Sequence, residues 1–125
     1  MMELLLDTAN LEELAFGLSA FPICGITSNP TILKREGGVD LYAHLKKIKA
    51  LAGARSLHVQ VVSEKTADIV EEAHCILDRL GADTYIKIPV SQEGVPAIKA
   101  LAKEGVKITA TAIYTTMQGI LALLS

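Results

Sequence analysis

A lysine set in the middle of an apolar strand can do carbonyl chemistry, and Lys87 is such a residue. It lies in the run Thr84-Tyr85-Ile86-Lys87-Ile88-Pro89-Val90, with Gly-Ala-Asp before it and Ser-Gln-Glu-Gly after it. β-Branched and aromatic residues between two turn signals predict a strand. Period-2 alternation puts Ile86 and Ile88 on one face and Tyr85, Lys87 and Pro89 on the other. Burial disfavours an ammonium, so a lysine kept dry in such a strand is a free amine able to attack a carbonyl carbon. On a solvated strand face the same lysine would do nothing. Its company decides between these two readings.

That company is polar and recurs at the ends of successive strands. Asp7 supplies a carboxylate that can orient a substrate hydroxyl or move a proton. Thr27 and Asn29 supply neutral hydrogen bonds. Gln60 and Thr111 can hold a water between them, with Thr109 on the same strand as Thr111. The set suits imine chemistry on a small polyhydroxylated ketone. No metal is expected, because His44, His58, His74, Cys24 and Cys75 lack ligand spacing. The histidines read as structural or surface residues, and the two lone cysteines as small buried hydrophobes in a reducing compartment. No G-x-S-x-G occurs, so a serine nucleophile has no support.

The elements that must position these groups alternate in type. Strands are predicted over 3–8, 23–27, 56–62, 84–90 and 106–111. Helices are predicted over 11–19, 41–51, 66–80, 91–103 and 116–124, with Asn10 and Ser91 as N-caps. Residues 28–31, Ser-Asn-Pro-Thr, read as a turn, and 34–38 as a polar loop. Gly53, Gly81 and Gly105 stand where a helix must stop before the next strand. Short links and regular alternation argue for parallel strands joined by right-handed crossovers.

Two α/β architectures fit: a doubly wound five-stranded sheet, or the first five β/α units of a (β/α)8 barrel. Strands of a doubly wound sheet are apolar on both faces. Here each strand has one apolar face and one carrying a polar group near its C-terminal end, where barrel active sites lie. The parity favours the barrel, with strands in the order 1-2-3-4-5. Nothing in the composition marks a linker, so residues 1–125 read as one domain, the N-terminal part of such a barrel.

Bulk properties exclude other classes. Half of the 125 residues are hydrophobic, 21% are charged, and the formal net charge is −2. A sizeable core is therefore possible, and neither nucleic acid nor a membrane surface is expected as a partner. Few aromatics and no Trp argue against a base-stacking platform. No apolar run is long enough to span a membrane, and the acidic N-terminus does not resemble a signal peptide. The expected compartment is the cytoplasm.

The motifs in order resemble one family. Leu5-Leu6-Asp7-Thr8-Ala9-Asn10, Gly25-Ile26-Thr27-Ser28-Asn29-Pro30-Thr31, Val59-Gln60-Val61, Ile86-Lys87-Ile88-Pro89-Val90 and Thr109-Ala110-Thr111-Ala112-Ile113-Tyr114 are similar to the small transaldolases and fructose-6-phosphate aldolases. The resemblance runs through the whole chain. It implies a class I aldolase barrel with no cofactor, acting on a sugar phosphate such as fructose 6-phosphate. In it Lys87 would form the Schiff base, and Asp7 and Asn29 would hold the dihydroxyacetone unit. Thr27 and Thr109 would line the same site, and Gln60 and Thr111 would position the catalytic water. In this family a glutamine at the position of Gln60 goes with free aldolases and a glutamate with transaldolases, which makes transaldolase the alternative activity. The resemblance also implies a homo-oligomer.

One feature departs from the resemblance. Family members run well past two hundred residues, and a closed barrel needs about 200 to 250. The chain reads as an N-terminal portion, without the later strands that grip the substrate phosphate. A rival from another class, the phosphoryl-receiver module, also has five strands and about this length. It requires an aspartate ending the third strand, where this chain has Gln60-Val61-Val62. Its sheet order would be 2-1-3-4-5.

Overall fold

The computed structural model describes residues 2–37 and 40–125. Five strands and six helices are present among the described residues: β1 (Leu5–Asp7), α1 (Leu11–Ala20), β2 (Gly25–Thr27), α2 (Pro30–Arg35), α3 (Leu41–Ala52), β3 (Ser56–Gln60), α4 (Thr66–Leu80), β4 (Tyr85–Pro89), α5 (Gly94–Lys103), β5 (Ile108–Thr111) and α6 (Thr116–Leu124). The strands are parallel where their register is defined, and the sheet order is β1-β2-β3-β4-β5. This is the sequential order of a barrel, not the reversed order of a doubly wound or receiver-type sheet.

Strand ends are shorter than the apolar runs predict, but the alternation holds. On β4, Ile86 and Ile88 are fully buried while Tyr85, Lys87 and Pro89 are half-buried. The expected turn at 28–31 is instead the start of a short helix. Asn29 accepts from the Ile32 N–H at 3.0 Å and Pro30 occupies the first helical position. Proline lacks only a donor that has no helical partner there, so Asn-Pro is a helix start. The expected loop over 34–38 is partly this helix, with Lys34 and Arg35 in its last turn; Gly38 lies outside the described residues. Ser91 acts as expected at the entry to α5, accepting from the Gly94 N–H at 2.9 Å, although the helix proper begins at Gly94.

The chain divides into two compact units, Met1–Val59 and Gln60–Ser125. In the first, Leu14, Ile26, Leu45, Ile48 and Leu57 are buried. Gly17 lets α1 approach β1 closely, because a Cβ there would stand 2.6 Å from Leu6 Cδ2. His44 is a core residue, its Nε2 2.7 Å from the Ala9 carbonyl oxygen. In the second unit, α4 contributes Ile69, Ala73, Ile76 and Leu80 to the core and packs on α5. Helix α5 in turn covers β4 and β5 with Ala97, Ile98 and Leu101. Gly81 ends α4 at φ 105°, a backbone angle that favours glycine.

Helix α4 has no side-chain cap of its own, since Lys65 at the N-cap makes no such bond. Glu93, in the loop between β4 and α5, replaces it. Its Oε2 accepts from the Thr66 N–H at 2.9 Å and the Thr66 hydroxyl at 2.6 Å, and that hydroxyl also lies 2.9 Å from the Glu93 carbonyl. Lys65 Nζ stands 3.6 Å from Oε1. The Thr66 hydroxyl, its backbone N–H and then Lys65 hold the Glu93 carboxyl below the usual carboxylate range.

Two outcomes follow. Ile86→Ala removes a fully buried side chain from the middle of β4, and urea titration should show a loss of about 2–5 kcal/mol. Glu93→Gln should be less stable than the native protein at neutral pH. A lowered folded-state pKa means that the advantage is fully present above the ordinary carboxylate range and is lost as pH falls through the lowered value. The gap between native and variant midpoints should therefore close below roughly pH 4, and a gap that stays constant into acid would assign it to packing alone.

Candidate active site

Of the groups that can do chemistry, Asp7, Thr27, Gln60 and Thr111 end their strands, Asn29 follows β2, and Lys87 and Thr109 lie within β4 and β5. In the second unit, Lys87 is the central residue of β4, placed by the burial of Ile86 and Ile88 on either side. Its register partner on β5 is Thr109, and Pro89 is opposite Thr111. Cα partners in a parallel pair project to the same face. Lys87, Thr109 and Thr111 therefore share one surface of the β4–β5 ribbon, and all three are half-buried. The expectation of a fully dry Lys87 is met halfway in this chain. Among the described residues of its unit, the amine has no ion-pair or hydrogen-bond partner to compete with a substrate.

Gln60, the last residue of β3, is also half-buried. The next residue, Val61, donates its N–H to the Lys87 carbonyl at 3.1 Å. The loop that follows is gripped from α4. Both carboxylate oxygens of Glu72 accept from the Val62 N–H, at 3.0 and 3.1 Å, and Oε2 also accepts from the Ser63 N–H at 2.8 Å. An ionised acceptor on two successive amides is a strong, orienting contact.

In the first unit, Asp7 and Thr27 end adjacent strands in register. The Thr27 hydroxyl donates to Asp7 Oδ1 at 2.6 Å. This orients the carboxylate, and among the described residues of this unit Oδ2 has no hydrogen-bond partner. Asp7 is exposed and Thr27 half-buried. Asn29 uses one lone pair of its side-chain oxygen on the Ile32 N–H, and its NH2 can donate. Ser28, between them, is fully buried, and its hydroxyl has no partner among the described residues. Thr27 and Asn29, not Ser28, are thus the available polar groups of this motif. His58 is in register with Thr27 but is buried and directed back along the strand, with Nε2 2.9 Å from the Ser56 hydroxyl. It reads as structural, as the sequence suggests. His74 pairs with Glu104 at 2.6 Å on the surface.

The structure thus joins Asp7 to Thr27 in one unit. In the other it puts Lys87, Thr109 and Thr111 on one face. The anchoring carboxylates Glu72 and Glu93 were not legible in the sequence. Each acts on backbone groups many residues away, and no local spacing announces such a bond. The capping use of Asn29 was legible in Asn-Pro, had that pair been read as a helix start. Chemically, the first unit offers a carboxylate oriented by a hydroxyl, and the second offers an amine on a strand face that also carries two threonines.

Comparison with known proteins gives the same direction. Over 123 residues the chain is 49% identical to a probable fructose-6-phosphate aldolase of Streptococcus pneumoniae, covering 98% of this chain and 55% of that protein. Over 124 residues it is 38% identical to a probable transaldolase of Thermoplasma volcanium, covering 97% of this chain and 54% of that protein. The chain thus spans about half the length of the curated relatives it matches. The family profile described as Transaldolase/Fructose-6-phosphate aldolase matches residues 4–125. With that match over nearly its whole length, the chain belongs to the transaldolase/fructose-6-phosphate aldolase family.

Proposed function

We propose that the complete protein is a class I, Schiff-base aldolase that cleaves and forms a ketose phosphate such as fructose 6-phosphate. The observation that carries this reading is Lys87, an amine without a protein partner in its unit, at the centre of a strand whose half-buried face also carries Thr109 and Thr111. Family membership and the identities of Asp7, Thr27, Asn29 and Gln60 support it.

In this reading Lys87 Nζ attacks the keto carbon of the substrate, and the carbonyl oxygen leaves as water. The resulting protonated imine is an electron sink. The bond between C3 and C4 breaks, its electron pair flows into the imine to give an enamine, and the C4 hydroxyl loses its proton as the aldehyde departs. Asp7, oriented by Thr27, takes part in the proton transfers and holds a hydroxyl of the dihydroxyacetone unit, while the Asn29 NH2 donates to an oxygen of the same unit. Thr109 lines the site. Gln60 and Thr111 position the water that carries the proton. Protonation of the enamine and hydrolysis of the imine then release dihydroxyacetone and restore the amine.

Gln60 cannot ionise, so it orients a water without acting as its base. This favours release of dihydroxyacetone over its transfer to a second aldose, the transaldolase alternative. The reading also makes the complete protein a cytoplasmic homo-oligomer. Among the described residues no helix is long and apolar enough to cross a membrane.

Borohydride reduction in the presence of fructose 6-phosphate should leave a stable adduct on Lys87, located by peptide mass. Lys87→Met should abolish the adduct and cut turnover at least about a thousandfold. An adduct on another lysine, or none, would end the imine proposal. With no acceptor aldose added, the aldolase should release free dihydroxyacetone. Product formation that needs an added aldose would assign the transaldolase activity instead.

A further inference from the structure

Helix α6 starts with a carboxamide that does more than cap it. Thr115 and Gln118 form a capping box, with the Gln118 N–H donating to Thr115 Oγ1 at 3.2 Å and Gln118 Oε1 accepting from the Thr115 N–H at 3.0 Å. Oε1 also accepts from the Tyr114 N–H at 2.9 Å. These contacts are local and serve the helix. The other end of the same carboxamide reaches across the sequence. Nε2 donates to the Val90 carbonyl at 2.9 Å and to the Ala112 carbonyl at 3.3 Å. The amide therefore uses both donors and both lone pairs.

The two carbonyls it joins flank the chemistry. Val90 directly follows β4, three residues beyond Lys87, and Ala112 directly follows Thr111. The Val90 N–H donates to the Thr111 carbonyl at 2.9 Å. Val90 is thus held on one side by Thr111 and on the other by Gln118. Ala112 has φ 55°, and it is the one non-glycine residue with positive φ among the described residues. A left-handed alanine persists only where its surroundings over-determine it, and such residues gather at functional sites. Here the surroundings are Gln118, bonded to the alanine's own carbonyl and to the N–H groups two and three residues on.

We propose that Gln118 is a positioning residue, a clamp that fixes the end of the Lys87 strand against Thr111. This rests on the reading of Lys87 as the imine-forming lysine. Gln118 itself touches no reacting atom; it acts through the backbone on either side of Thr111 and beyond Lys87. Only a carboxamide fits the role. A glutamate keeps the two acceptor bonds that cap α6 and even suits a helix N-terminus, but it loses both donors and sets its charge against two carbonyl oxygens.

Gln118→Glu therefore separates the clamp from the cap. In the complete protein this variant should unfold with a midpoint close to native, while kcat for ketose cleavage falls about tenfold or more with KM little changed. Hydrogen exchange at the Val90 amide should quicken at least tenfold, because the Val90–Thr111 bond loses its support. Thr111→Val should lower kcat on its own, and the double variant should be no slower than the slower single one, as for two residues acting through one contact. Effects on kcat that multiply, native kcat in Gln118→Glu, or unchanged exchange at Val90 would each overturn the assignment. Should Gln118→Glu fail to fold, Gln118→Leu serves the same cycle, and global unfolding in both would make the residue structural and overturn the proposal. Borohydride labelling of Lys87 in the native protein is read separately. Its absence sinks the imine reading, whereas its presence with native kcat in the variant sinks the clamp alone.

Discussion

The pleat of β4 is the constraint on which the rest depends. Ile86 and Ile88 have no exposed surface, and burying each contributes about 1.5–3 kcal/mol. A one-residue slip of the strand would bring both into the open and send Lys87 into the core, an exchange unfavourable on both counts. The parity that stabilises the sheet is thus the parity that presents the amine. Hydrogen bonds fix the strand lengthwise as well: the Lys87 carbonyl accepts from Val61, and the Ile86 N–H donates to the Lys107 carbonyl. Lys87 therefore has little positional freedom along the strand.

The loops leaving these strands are held by side chains that belong to other elements. Glu72 of α4 binds the amides after β3, Glu93 after β4 caps α4, and Gln118 of α6 binds carbonyls after β4 and β5. Each polar group satisfies backbone donors or acceptors that a short βα loop would otherwise leave bare. Side chains from helices and loops thereby hold the backbone at strand ends. The consequence is that backbone groups at these strand ends are bonded within the protein itself.

Much of this was legible locally. Period-2 alternation on β4, the 3.6-residue stripe of α4, and glycines where helices stop gave strands and helices in the right order; α4 and α6 match at both ends. The polar residues at strand ends were found because they broke an apolar pattern. Helix α2 was missed because its six residues are too few to show periodicity, although Asn29-Pro30 carried the start signal. The carboxylate anchors and the carboxamide clamp were invisible for a physical reason. A bond such as Gln118 to Val90 spans 28 residues, and its cause is the proximity of two strand ends, which exists only once the sheet has formed. Likewise Thr27 reaches Asp7 across 20 residues, and only pairing in register makes them neighbours.

The same long-range bonds narrow the chemistry beyond what residue types allow. A free asparagine could donate or accept, but Asn29 has one oxygen lone pair committed to the Ile32 N–H, which leaves its NH2 as the main donor here. A free threonine could also do either, but the Thr27 hydroxyl donates its hydrogen bond to Asp7 and can now only accept. Asp7 keeps a carboxylate oxygen that accepts. Thr27 and Asp7 therefore present acceptors in fixed senses, and the Asn29 NH2 adds a donor. A polyhydroxylated ketone meets that demand, since its hydroxyls can both donate and accept along a short carbon chain. A carboxylate or phosphate, which only accepts, would satisfy Asn29 alone and be repelled by Asp7. Under the proposed reading, this polarity suits the hydroxylated end of a sugar phosphate better than its anionic end.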